Sequence, residues 1–502
     1  MNEKLTRILS RAVYALTAVL FLWAVTAIFV KNHYGYKAGL LAAASAGALI
    51  LTVSAWFVIK KKEAFFIKYR RIVTAAFLAF MGTAQIIMIF PLRYTPVFDV
   101  DALFGGAAEW ANTGDFASYH EYFSMFHNNW GGLILLRTVF GAARLFGIKD
   151  YSLPASLINS ALTLLAAYLA GSVCAKLTGE RGRAMAYFVF LISLPFYFIA
   201  PAFYTDSLTM LFPILILRLY ITAREQESPI KRCAVFAAMG LAAGVGYGIK
   251  ATAVIMLIAV VIDAFLRPGF KRFLPLIPIS AAMVFACSLA AEGIVLRHLD
   301  REEAKELEIP IVHWIMMGTK GNGTYDPDEY EFTKSFEDPA ERKKADADRL
   351  FNRLKTYDAK AFIKLFTAKL DVDFGDGTYG LSDCLGCPHG EDNALHRFLL
   401  PGGEGHAAYK HICTGVLIAI YILLIVSCVI GAFGKGAAQN MSAPRLALLG
   451  LLLFLLIWEA RWRYFSNYAP VFIVSAVMGL EEITGLIDAR KRAEKGKRRK
   501  KR

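Results

Sequence analysis

PVFDVDALFGGAAEWANTGDFASYHEYFSMFHNNWGGLILLRTVFGAARLFGI, residues 96–148, is the stretch whose reading decides the architecture. Its first part concentrates acids, amides and aromatics between two apolar segments: Asp99, Asp101, Glu109, Asp115, His120, Glu121, His127, Asn128 and Asn129. Over 101–112 the spacing predicts a short helix offering Leu103, Phe104, Ala107, Ala108 and Trp110 to an apolar surface, stopped by Gly114. Such a helix suits the membrane interface, with Asp99 and Asp101 at its N-terminal end. Carboxylates stabilise a helix start, which accounts for one Asp. The second points to a catalytic or substrate-binding role for at least one of them. The remainder, 129–148, is apolar enough to tempt a span, yet it carries Arg137 and Arg144.

Working outward, composition sets the class. The chain has 502 residues, of which only 19% are charged, and its mean hydropathy is +0.45. It therefore reads as an all-α polytopic membrane protein with about twelve transmembrane helices. The apolar runs of spanning length lie near 11–30, 38–59, 70–91, 153–173, 184–203, 206–222, 233–249, 251–266, 273–296, 411–432, 443–458 and 464–486. No small-residue cleavage site follows the first, so it is expected to remain as a span. The expected division is an N-terminal bundle, 1–296, with its first outer loop at 92–150; an extracytoplasmic insert, 297–410, of α+β or irregular structure; C-terminal helices, 411–487; and a basic tail, 488–502.

Lys and Arg cluster at 60–71, 176–183, 224–232, 267–272 and 490–502, and the positive-inside rule puts all five in the cytoplasm. If 129–148 crossed, the later four would move outside, so this segment is expected to lie in the interface or re-enter. Both termini are then cytoplasmic, and every polar cluster opens on the outer face. The net charge of +15 belongs mostly to the inner loops and tail. It fits anionic lipid rather than nucleic acid.

Those outer clusters supply the candidate residues. Asp206 follows Pro201 in a tight turn and is either an N-cap or part of a site. Lys250 sits in GVGYGIKAT between two short apolar runs. A Lys at that depth costs about 2.5–3.5 kcal/mol, so a partner is expected unless it snorkels to the headgroups. His313 and Trp314 open the insert. The segment 458–470, WEARWRYFSNYAP, brings Glu459, Arg461, Arg463 and Tyr464 to the outer end of a span. Guanidinium there suits the phosphate of a lipid-linked substrate through paired hydrogen bonds. Cys384 and Cys387 form a C-x-x-C with His389 and His396 nearby. In an outer compartment a local disulfide is favoured, ahead of free thiols or a metal. No Asp/His set with metal spacing is complete, so no cofactor is inferred, while a divalent metal stays open.

In order, FDVD…MFHNNWG, PAFYTDSL, GLAAGVGYGIKATA, PIVHWIMMG and WEARWRY resemble the superfamily C (GT-C) glycosyltransferases of bacterial membranes. They are most similar to the Gram-positive group related to protein O-mannosyltransferases, over most of residues 70–480. The resemblance implies a multi-span fold, a polyprenyl-phosphate sugar donor and an acidic general base in the first outer loop. Asp99 matches that acid by position, and Asp101 stands where a small residue is expected. His127, followed by Asn128 and Asn129, stands where a Pro is expected. The implied reaction moves a sugar to an acceptor hydroxyl on a glycan, lipid or protein at the outer face of the cell membrane, with inversion. One carboxylate, Asp99 or Asp101, takes the proton, and Lys250, Arg461 and Arg463 stabilise the leaving phosphate. The competing class is a transporter or flippase of lipid-linked sugar. Such proteins often show repeated halves and ionisable groups at mid-membrane, whereas this chain has no repeat.

Overall fold

The computed structural model describes residues 3–500 apart from 268, 391 and 435–440. Nine described helices are long and apolar enough to cross a bilayer: Leu5–Lys31, Ala38–Lys61, Arg70–Ile89, Ser152–Thr178, Thr205–Glu225, Pro229–Ile249, Phe270–Val295, His406–Phe433 and Ser466–Glu494. The shorter apolar helices Ala251–Leu266 and Ala443–Ile457 complete two further runs. The run at 184–203 breaks: Glu180–Ile192 stops at Ser193, and Pro195, which lacks an N–H, starts the separate turn Pro195–Phe198. An all-α polytopic membrane fold results, as the hydropathy requires. Among the described residues no β-strand occurs, only one isolated bridge, Tyr94 with Pro388.

Residues 130–145, whose path decides the topology, form the helix Trp130–Leu145. It buries Leu133, Leu136, Phe140 and Ala143 and packs on the helix Phe98–Thr113, where Phe104 meets Phe140 edge to face at 5.3 Å. Both its arginines turn onto that partner. Arg144 donates to the Ala111 carbonyl at 2.7 Å, and Arg137 lies 5.5 Å from the Trp110 ring. At its start a Cβ on Gly131 would stand 2.2 Å from the Gly248 backbone. This glycine contact brings the 96–131 loop directly over the end of Pro229–Ile249, next to Lys250.

The insert is helical. Asp326, Asp338 and Asp358 each cap a following helix through a carboxylate oxygen (Glu329 N 3.2 Å, Glu341 N 2.8 Å, Ala361 N 2.7 Å). Pro at the first helical position reinforces two of these starts. The insert's second half leaves the surface. Helix Ala359–Phe374 packs on the first span, with the Trp23 indole donating to Thr367 at 3.0 Å and Phe374 meeting Phe21 at 5.7 Å. Residues 369–382, KLDVDFGDGTYGLS, are buried throughout.

Polar groups divide between the two ends of the bundle. At one end Arg181 pairs with Glu63 (3.1 Å) and Glu481 (2.6 Å), Lys60 with Asp488 (2.8 Å) and Lys176 with Glu225 (2.9 Å). The opposite end gathers the first loop, the turns at 199–206 and 249–251, the insert and 458–468.

Candidate functional site

The site assembles at that second end, around Asp99. An extended segment, 93–95, pairs with 387–389 (Thr95 N to Cys387 O 2.8 Å; His389 N to Arg93 O 2.8 Å) and leads into the Phe98–Thr113 helix. Phe98 takes a left-handed φ of 52°, which turns the chain sharply and sets Asp99 in the first helical turn. Asp99 is not a cap. Its carboxylate accepts from the Tyr122 hydroxyl (3.1 Å) and the Tyr204 hydroxyl (3.5 Å), and Tyr122 in turn accepts from Asn129 Nδ2 (2.7 Å). Burial first, and then the Asp99 charge, pushes both phenols above their ordinary range, so they remain protonated donors.

Asp206 sits beneath, its side chain 6% exposed. Ser207 Oγ accepts from Tyr204 N (3.3 Å) at this helix start, and the Asp206 carboxylate takes two cations instead: Lys250 Nζ at 2.6 Å and Arg463 Nε at 3.1 Å. Arg463 Nη2 also lies 3.9 Å from Asp99, beyond hydrogen-bond range. Two cations share one buried carboxylate, so the group carries an excess positive charge that faces the half-exposed Asp99. The Tyr464 ring supports both cations (4.2 Å from Lys250, 5.7 Å from Arg463), and its hydroxyl donates to Glu459 at 3.1 Å. Glu459 is buried and also accepts from Arg461 Nε at 2.8 Å.

The insert clamps this segment. Lys369, fully buried, donates to the carbonyls of Gly318 (2.9 Å) and Trp458. Asp373 accepts from Arg461 N (2.9 Å), and Gly323 O accepts from Ala460 N (2.7 Å). A side chain at Gly318 would meet Trp458 O at 2.6 Å, so glycine is needed for this approach.

The structure thus brings together Asp99, Asn129, Asp206, Lys250, Glu459, Arg461, Arg463 and Tyr464. Four expected residues stand apart. Asp101 is exposed, on another side of its helix from Asp99. His127 stacks on Trp130 at 4.2 Å and faces Glu308 at 3.7 Å, and Asn128 is exposed with one long contact to Asn129 (3.4 Å). His313 lies in the insert core, where Nδ1 meets Thr333 Oγ1 at 2.7 Å and Thr333 donates to Asp346 at 2.8 Å. The expected disulfide is also absent: Cys384 and Cys387 are free thiols. The backbone pairing with 93–95 already holds this turn. It leaves Cys387 exposed and Cys384 in the wall of a small cavity with Tyr204, Asp206 and Arg463. Burial raises the Cys384 thiol to about 12, which keeps it protonated. Among the described residues no group of three or more His, Cys, Asp or Glu is arranged to hold a metal.

Tyr122, Tyr204, Lys369 and Asp373 were not among the expected site residues. Tyr204 precedes Asp206 and was open to detection. Lys369 and Asp373 lie in what reads as a soluble insert, where charge is unremarkable until the fold buries it.

A family model described as "Conserved hypothetical integral membrane protein" matches residues 4–484. The chain belongs to this family. No curated protein matches it. Among solved structures, ArnT from Cupriavidus metallidurans bound to undecaprenyl phosphate is similar at 12% identity and a TM-score of 0.37, over 82% of this chain and 77% of that one. The apo structure of the same ArnT gives 13%, 0.38, 81% and 76%.

Proposed function

We propose that this family member is a membrane glycosyltransferase that moves a sugar from a polyprenyl-phosphate donor to an acceptor hydroxyl at the outer face of the cell membrane. The observation that carries the reading is the half-exposed Asp99 carboxylate set 3.9 Å from Arg463, where Arg463 and Lys250 share the buried Asp206. Base and excess cation side by side are what displacement of a phosphate by a hydroxyl requires. Asp99 accepts the acceptor's proton as the new oxygen–anomeric carbon bond forms. The bond from the anomeric carbon to the phosphate oxygen breaks, and polyprenyl phosphate departs with the electron pair. Lys250 and Arg463 stabilise its growing charge, and no general acid is needed for so acidic a leaving group. Attack from the face opposite the phosphate inverts the anomeric centre. Arg461 sits one step removed, paired with Glu459, which also accepts from the hydroxyl of the Tyr464 ring beneath the two cations.

Two measurements test this. Polyprenyl phosphate binding by the full-length protein in nanodiscs should weaken at least tenfold in Arg463→Gln and stay within about twofold in Asp99→Asn. The envelope of a deletion strain should lose a sugar, from glycan, lipid or protein, that wild-type chain restores and Asp99→Asn does not. Wild-type lipid affinity in Arg463→Gln together with full complementation by Asp99→Asn would overturn the proposal.

A further inference from the structure

We propose that the acceptor is itself a carbohydrate, received by Tyr325 and Tyr330 of the insert on the side of Asp99 away from Lys250 and Arg463; this rests on the transfer reading above. The contacts around Asp99 close into a ring. One arc runs from Asp99 through Arg463, Asp206 and Lys250 to Tyr464 and Glu459. The other leaves Asp99 by Tyr122 and follows its helix to Met125, whose sulfur meets the Tyr330 hydroxyl at 3.7 Å. Tyr330 lies 6.2 Å from Tyr325, and Tyr325 lies 5.5 Å from the Arg461 guanidinium, which returns to Glu459 at 2.8 Å.

The two arcs differ in chemistry. The first offers cations to an anion. The second offers phenol rings, with Tyr325 41% exposed, beside the exposed carboxylates of Glu121 and Glu331. The negative potential of Asp99 reaches both Tyr325 and Tyr330, behind burial and Glu331 among the causes that raise their phenols. An aromatic face carries negative quadrupole density, which attracts the slightly positive C–H face of a pyranose. Carboxylates accept from sugar hydroxyls in any orientation. Aromatic walls with a small number of placed polar groups are the usual lining of sites that orient a small ligand.

The experiment uses full-length chain expressed in a deletion strain, with envelope separated into organic-extractable lipid, protein and protease-treated polysaccharide, each analysed for sugar content. Wild type should restore a sugar to the polysaccharide fraction alone. Tyr325→Ala with Tyr330→Ala should lower it at least tenfold, and the paired Phe variants should recover transfer relative to Ala, since the ring face carries the contact. Polyprenyl phosphate affinity in nanodiscs should be the same in all of these proteins, which also reports that they fold. Sugar appearing in the protein or lipid fraction, or full transfer by the Ala pair, overturns the carbohydrate assignment while leaving the transfer reading standing. A deletion that alters none of the three fractions overturns both.

Discussion

Asp99 and Asp101 are two residues apart on one helix, about 200° around its axis, so they cannot serve one site together. Asp99 reaches Tyr122, Tyr204 and Arg463, and Asp101 faces away. Asp99→Asn should therefore lower transfer by about 10²–10⁴-fold, the usual worth of a general base. Asp101→Asn should stay within about twofold, with both proteins at normal membrane abundance by immunoblot. The charges beside Asp206 also bear on stability, because Lys250→Ala leaves Asp206 paired with Arg463, whereas Asp206→Asn leaves two largely buried cations without their carboxylate. Asp206→Asn should therefore destabilise the protein by about 3–5 kcal/mol in thermal unfolding, and Lys250→Ala by less. Equal stability of Asp206→Asn and wild type would mean that the two cations do not depend on the carboxylate.

At the level of elements, the Trp130–Leu145 helix is placed by a contact that admits no side chain. Gly131→Ala puts a methyl 2.2 Å from the Gly248 backbone, and both partners are main chain. Overpacking of this kind costs about 1–3 kcal/mol or more, and here it also lifts the first loop from Lys250. A drop in both melting temperature and transfer is expected, and a variant with both unchanged would show that the two helices do not meet there. In the insert, burial lowers His313 to about 4 from 6.5 and raises Asp346 to about 6 from 3.8, the two being joined through Thr333. The signs oppose. The lowered His contributes stability that is lost as pH falls from 6.5 through 4. The raised Asp contributes stability present below 3.8 and lost as pH rises through 6. Each is worth about 3 kcal/mol at full extent, so the wild-type insert should be nearly level between pH 4 and 6. Asp346→Asn should lose stability toward acid, and His313→Gln should gain it. Hydrogen exchange of the insert at stepped pH measures both, and parallel slopes in the two variants would refute the coupling.

Over the whole molecule, the ion pairs among Lys60, Glu63, Arg181, Glu481 and Asp488 gather at one end, and the Asp99 ring occupies the other. The positive-inside rule assigns the first end to the cytoplasm. Single cysteines in a background without Cys384 and Cys387 should then label from outside intact cells at the insert and not at 60–71 or the C-terminus. Labelling at the C-terminus would invert the assignment. A buried latch steadies the end opposite Asp99: Arg445 meets Glu482 at 2.6 Å and lies 4.9 Å from the Tyr14 ring, joining the first span to the last two apolar helices. Arg445→Ala should cost about 3–5 kcal/mol of stability, and Arg445→Met with Glu482→Met should cost less, because a packed apolar pair takes the place of the buried ion pair.

Hydropathy alone was enough to place eleven of the twelve apolar runs on helices, nine of them of spanning length, because bilayer thickness sets that length; it missed the break at Ser193–Pro195 in the twelfth. The same reasoning singled out the 96–131 loop, Asp206, Lys250 and 459–464, whose side chains the fold brings together, since a charge beside the membrane demands a partner. It could not name the partner. That Lys250 and Arg463 share Asp206, that Asp99 rather than Asp101 joins them, and that His313 serves the insert's own core depend on side-chain direction across segments hundreds of residues apart. Segment 359–385 shows the limit most plainly. Its acids and lysines read as solvated surface, and only tertiary packing reveals that Lys369, Asp371 and Asp373 are buried against the bundle. Local composition sets the cost of burying a charge, while the decision to bury it belongs to contacts that no local pattern encodes.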